Sequence, residues 1–253
     1  MPETRDLLTW LRTVCDAYDF DAHGVFKAAG DHDWPLVASD PDDLLSQLGQ
    51  GGHLLPLPKE SAALANILEV SLVDYLLLEI EQLNGAEAIR GTERGYPDLE
   101  VFGTAFGDEF HAVDIKAARR KPTRAGFSKN TQSRITLYTG NTYFRYPRLR
   151  WPGSPRPFGE YASHLDIIAI YTLDEESPAR VLDLELIVQP PWKIGSHQRS
   201  STTREYIGAV MEIAALREGR SEFETETDFY KFWRAYPFKV GKAVQQQLDK
   251  LLR

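Results

Sequence analysis

In GYPDLEVFGTAFGDEFHAVDIKAARR, residues 95 to 120, an aspartate follows a proline, a second aspartate stands sixteen positions later, and a lysine lies two beyond it. On a strand, Asp114 and Lys116 share one face, because side chains alternate. Asp98 follows Pro97, a residue suited to a strand start. The intervening GTAFGDE is rich in turn formers. A hairpin folded about position 106 sets Asp98 opposite Asp114, and directly paired residues hold their Cβ atoms about 5 Å apart. Two carboxylates that close repel, so one takes up a proton unless a cation intervenes. A hard divalent ion such as Mg2+ suits the pair, since it accepts one or two carboxylates and keeps waters and substrate oxygens. Lys116 beside it can stabilise charge on a phosphate, or orient and deprotonate a water. This is the equipment for metal-assisted hydrolysis of a phosphodiester. The same spacing also arises by chance. The alternative is a surface hairpin whose Asp114 and Lys116 form an exposed pair of little energetic worth.

The segment after the hairpin favours the first reading. The chain carries a net charge of -8, which alone argues against a nucleic-acid partner. Yet no Asp or Glu occurs from Ile115 to Gly159, and eleven of the 29 basic residues do, among them Arg119, Arg120, Lys121 and Arg124. A single-sign stretch of this length costs self-repulsion unless an anion meets it. Tyr138, Tyr143, Phe144, Tyr146 and Trp151 interleave with the charges, which argues against a disordered basic loop. A polyanion is the expected partner.

The elements that must position these groups fall in the order helices, strands, helices. Residues 3 to 19 read as an amphipathic helix, with Cys15 a small core residue in it. Residues 22 to 40 read as two short strands around a Gly-Asp turn, and 40 to 48 as a helix capped by Asp40 or Asp42. Residues 59 to 83 give the longest helical pattern, with Leu64, Ile67, Leu68, Leu72, Tyr75, Leu76 and Ile80 at helical spacing, and Asn84-Gly85 stops it. Strands are expected at 101 to 102, 110 to 115, 134 to 146, 164 to 175 and 179 to 189. Helices are expected at 204 to 217, 225 to 236 and 240 to 253. There is no internal repeat, and the length suits one large domain or two small ones. The order predicts a mixed α+β domain rather than regular βαβ winding.

The wording of YPDLEV and VDIKAARR and the gap between them resemble the PD-(D/E)xK nucleases, and among them the EcoRV-like type II restriction endonucleases. The likeness extends beyond the hairpin. LANILEVSLVDYLLLEIEQL is similar to that family's upstream helix, with Glu69 at the place of its accessory acid. YDFDAHGVFKAAGDHDWPLVASD, EYASHLDIIAIYT and ETDFYKFWRAY resemble an opening segment, a central strand and a late helix. The resemblance implies a single restriction-endonuclease-like domain over 1 to 253, with a central mixed sheet flanked by helices. It implies Mg2+-dependent, sequence-specific cleavage of double-stranded DNA at a short palindrome, leaving 5′-phosphates. Asp98, Asp114 and Glu69 would hold the metal, with Lys116 completing the catalytic set. A C2 homodimer is implied, its surface including the N-terminal third and the hairpin around Gly30.

The family reads bases with a short loop between a strand and a helix. The corresponding stretch here is Ser196, His197, Gln198, Arg199, Ser200, Ser201, Thr202, Thr203 and Arg204. Its His197, Gln198, Arg199 and Arg204 depart from the family's smaller loop, which puts sequence preference in doubt. Arg suits guanine and Gln suits adenine. A second loop, Thr92 to Gly95 with Arg94, would approach the minor groove. Arg119, Arg120, Lys121 and Arg124 would hold phosphates, giving register rather than sequence information. Two alternatives stay open: a repair or junction-resolving nuclease with the same hairpin, or a non-catalytic DNA-binding protein.

Other classes find no support. No apolar run approaches the ~20 residues that span a bilayer. The N-terminus lacks a signal-peptide layout, and the single cysteine suits a reducing compartment. The expected location is the cytoplasm of a prokaryote. None of the six histidines falls in a zinc spacing, and His164 reads as a satisfied core histidine. No phosphate-binding Gly-rich loop or serine elbow occurs, so no nucleotide cofactor is expected.

Overall fold

The computed structural model describes residues 4–20, 39–43, 46, 61–92, 95–124, 126–174 and 180–252. All but the last two residues of the strand pair expected within 22 to 40, the dimer hairpin around Gly30, Arg94, and residues 44, 45, 47 and 48 of the helix expected after Asp40 lie outside these residues. Asp40 does accept the Asp43 amide at 2.9 Å, as a cap would.

A six-stranded mixed sheet organises the chain, as expected from the order of elements. Its strands are β1 (Glu87–Arg90), β2 (Leu99–Phe102), β3 (His111–Thr123), β4 (Gly126–Gln132), β6 (Ser163–Leu173) and β7 (Val181–Gln189). Along the sheet the order is β1-β2-β3-β6-β7, with β4 paired to β3. The β3 and β6 strands run parallel, and every other pair is antiparallel. The apolar run LDIIAIYTL fits a strand covered on both faces, and β6 is accordingly central.

One face is covered by α1 (Leu7–Asp16) and α2 (Ser61–Glu81). Leu7, Leu11 and Val14 of α1 and Leu72, Leu76 and Ile80 of α2 pack on Leu99, Val101, Val113, Ile115, Leu165 and Ile167. Asp6 caps α1 by accepting the Thr9 amide at 2.9 Å. Cys15 is buried there as expected, and desolvation pushes its thiol up to about 12.

The other face carries a small antiparallel sheet, β5 (Thr136–Thr139), β9 (Tyr206–Ala209) and β8 (Gly195–Arg199) in that order. With it pack α3 (Ile213–Glu218) and α4 (Glu226–Ala235); α5 (Lys242–Leu251) comes last. Phe144, Ile194, Ile207, Leu216, Phe229 and Trp233 join Ala112, Ala118, Ile168 and Ile170 in one cluster. The Trp233 indole donates to the Ser196 carbonyl at 3.1 Å, satisfying a polar atom that burial would otherwise strand.

Several elements differ from the sequence reading, which did not include β1, β4 or β8. Residues 204 to 217 are not one helix: β9 occupies the first part and only Ile213–Glu218 is helical. The β-branched Ile207, flanked by Tyr206 and Gly208, is recruited as a ladder by β5 and β8. The strand expected over 134 to 146 stops at Thr139, because Gly140 turns the chain and Phe144 folds back into the core. Conversely, β3 runs on to Thr123 through its arginines, held by β4.

Candidate active site

The β2–β3 hairpin builds the site. Its pairs Leu99↔Val113, Glu100↔Ala112 and Val101↔His111 centre on position 106, and a single 3-10 turn over Thr104–Phe106 closes it. Gly103, Gly107 and Asp108 turn the corner with positive φ. Continuing the register by one residue sets Asp98 against Asp114. The β1 edge pins it there: the Gly91 amide donates to the Asp98 carbonyl at 2.7 Å. The backbones approach so closely that a Cβ on Gly91 would come 1.9 Å from the Pro97 oxygen.

Alternation then sorts the side chains. Leu99, Val101, Val113 and Ile115 face the α1–α2 layer, so Asp98, Glu100, Asp114 and Lys116 share the opposite face. The Asp98 carboxylate accepts the Ile115 amide at 2.6 Å and stands close enough to Asp114 to feel its charge. The Lys116 ammonium donates to Asp114 Oδ2. Glu69, half-buried on α2, lies close enough to feel both Lys116 and Asp114. The four residues expected to act together are thus neighbours.

Their electrostatics follow from burial. Desolvation first, then the charge on Asp114, pushes Asp98 up to about 9 against the pull of Lys116. Burial opposes the charge on Lys116, but Asp114, Asp98 and Asp166 outweigh it and raise its ammonium above the ordinary lysine range. Desolvation also raises Glu69. One ammonium therefore stands among more acids than it can neutralise.

Asp98 and Asp114 fit a hard divalent ion: they offer two adjacent oxygen donors, the number such an ion takes when waters and substrate complete its shell. Among the described residues no three His, Cys, Asp or Glu side chains converge as a ready metal cage. Glu69 is near the pair without joining it.

Not every positive charge of the acid-free stretch is available to a substrate. Arg156 makes a two-armed pair with buried Glu100, at 2.7 and 2.9 Å, where Tyr161 adds a third hydrogen bond at 2.9 Å. Arg120 donates to Glu185 at 3.0 Å. Arg119, Lys121 and Arg124 are exposed, and among the described residues no acid pairs with them.

The stretch from Ser196 to Arg204 is an arm and turn of the β8–β9 hairpin, not a loop leading into a helix. Ser196 is buried, and its hydroxyl donates to Glu222 at 3.0 Å. The His197 ring packs on Phe223 and Phe232. Ser200 meets Thr136 at 2.7 Å, and Ser201 accepts the Thr203 and Arg204 amides. Gln198, Thr202, Thr203 and Arg204 face solvent, with Arg199 half-buried. A cavity of about 340 Å³ beside this hairpin includes Arg134, Gln198, Arg199 and Glu222 in its wall, and none of the four candidate catalytic side chains. His164 is satisfied as expected: its Nδ1 meets the Tyr96 hydroxyl at 2.7 Å, its ring stacks on Phe158, and desolvation lowers it to about 3.

One acid in this neighbourhood escaped the sequence reading. Asp166, on β6, lies directly across from Asp114 in the parallel register. The only sequence signal for it is a lone charge inside an apolar run.

A family model described as "Restriction endonuclease EcoRV" matches residues 30–252 of the chain. The chain is also 21% identical over 211 residues to a protein of Escherichia coli named "Type II restriction enzyme EcoRV", covering 77% of this chain and 82% of that one.

Proposed function

The chain belongs to the EcoRV restriction endonuclease family, and on that premise we propose that Asp98, Asp114, Lys116 and Glu69 form the centre at which it cuts DNA. It is a type II restriction endonuclease, a hydrolase with the mixed α+β fold of restriction endonucleases. In the proposed reaction it cleaves both strands at a short palindrome, requires Mg2+, and leaves 5′-phosphates. The observation that carries the assignment is the facing pair Asp98 and Asp114, with the Lys116 ammonium on the latter.

A divalent ion bound by the two aspartates would supply Lewis-acid charge to the phosphate and lower the pKa of a bound water. Lys116 would stabilise the charge that develops on phosphorus oxygens or position the water, and Glu69 would act as an auxiliary acid. Arg119, Lys121 and Arg124 would hold phosphates. Gln198, Arg199, Thr202, Thr203 and Arg204 would face base edges. Cutting both strands of a palindrome calls for two such centres, hence a C2 homodimer of single-domain chains. No helix among the described residues is long and apolar enough to cross a membrane; a cytoplasmic site of action in a prokaryote fits an enzyme that meets incoming DNA.

The test is sequencing of the ends made from a long DNA of known sequence in Mg2+. Ends falling within one short palindrome, with ligatable 5′-phosphates, are expected. Scattered ends, or cutting only at branched or damaged DNA, would replace this reading with the junction-resolving or repair alternative.

A further inference from the structure

Asp166 has no role in the proposed reaction, and its surroundings call for one. It is fully buried, at 0% exposure, and neither carboxylate oxygen has a hydrogen-bond partner among the described residues. Register places it on the face that carries Asp114 and Lys116. Asp98, Asp114 and Asp166 thus form a row across three adjacent strands. The next member of the row, Gln189 on β7, pairs with Asp166 in register but is engaged elsewhere. Its Nε2 donates to the Arg217 carbonyl at 2.8 Å, and its Oε1 accepts from Arg12 at 3.1 Å. Among the described residues the ammonium nearby, that of Lys116, is committed to Asp114.

A carboxyl buried without partners is strongly unfavourable, and the neighbouring positions Leu165, Ile167, Ile168 and Ala169 are all apolar. An aliphatic side chain would avoid the cost. Such an orphaned group points to a partner that the described residues do not supply, an ion or a water.

We infer that Asp166 is a positioning carboxylate for the divalent-ion site: Asp98 and Asp114 hold the ion, and Asp166 accepts hydrogen bonds from water carried by it. This rests on the nuclease reading. The described acids do not converge on one point, which puts Asp166 behind the ligands rather than among them. Groups in that position orient the ligands and the bound water, and their loss weakens metal affinity by about 10- to 100-fold.

The test is Mn2+ titrated into the full chain without DNA, with free Mn2+ followed by electron paramagnetic resonance. Asp98→Asn abolishes binding. Asp166→Asn weakens it about 10-fold or more, while the melting temperature in EDTA stays unchanged or rises, because a buried unpartnered carboxyl has been removed. Asp166→Val, suited to a covered strand, must weaken binding likewise and serves if the Asn variant does not fold. Should both Asp166 variants bind Mn2+ as the wild type does while Asp98→Asn does not, the inference falls and the nuclease reading stands. Should the wild type bind none, or Asp98→Asn bind as tightly as the wild type, both fall.

Discussion

The two halves of β3 differ in every respect except that they are one strand. From His111 to Ile115 it is buried on both faces, and its one charge, Asp114, faces Asp98 and Asp166 on the neighbouring strands. From Arg119 to Thr123 it stands largely in solvent beside β4, with cations and no acid. Exposed cations cost little where they are and respond to any polyanion through screened, long-range attraction. Buried carboxylates cannot wait for a partner in that way: they keep a proton or take a cation. Burial, more than charge count, is what sets the two halves apart, and it is why the proposed reaction gives chemistry to one and substrate holding to the other.

The largest expected effect comes from the buried half. Asp114→Ala and Lys116→Ala each lower the rate of plasmid cleavage by about a thousand-fold or more, while gel shifts show that DNA is still bound. A loss of under ten-fold would break the comparison at its acidic end.

Gly91→Ala sharpens it. The new Cβ cannot fit beside the Pro97 oxygen, so the Asp98 backbone must move. A displacement near 1 Å costs a cutting rate of about 100-fold, with DNA affinity unchanged.

The exposed half is tested through salt. Replacing Lys121 and Arg124 together by Ala reduces the slope of log affinity against log salt by about 2, without changing which site is cut. Arg120→Ala changes the slope less, because Arg120 is already paired with Glu185. Equal effects from Arg120 and Lys121 would mean that this pair opens on DNA.

The smallest effect is on stability. The Asp98 carboxyl sits at about 9 in the folded chain, raised from 3.8 by burial and Asp114. A carboxyl raised by folding contributes stability that is complete below its ordinary value and is lost as pH climbs through the folded one. In EDTA the melting temperature therefore falls between pH 4 and about 9, and Asp98→Asn flattens that fall. A wild-type melting temperature that rises through the window would show Asp98 ionised without a metal.

The hairpin was legible because its signals are local. Pro97 and Asp98 on one arm mirror Asp114 and Lys116 on the other about a turn-rich centre, and two-residue alternation does the rest. Glu69 was named through the family resemblance of α2 rather than through its periodicity, and it lies near Lys116 and Asp114. Asp166 was not legible, since its meaning depends on β6 lying parallel to β3 in one register across 52 positions. The uses of Arg120 and Arg156 were hidden for the same reason: their acids, Glu185 and Glu100, lie far off in sequence and on other strands. The β8–β9 hairpin was misread because Ile207 has a strand residue's shape within a segment whose later part is helical.

The most direct test of the facing aspartates is supercoiled plasmid incubated with the full chain, with and without Mg2+, beside Asp98→Asn. Discrete fragments from the wild type in Mg2+, none in EDTA, and none from the variant are predicted. Wild-type cutting that survives EDTA, or an Asp98→Asn variant that cuts as well as its parent, would contradict it.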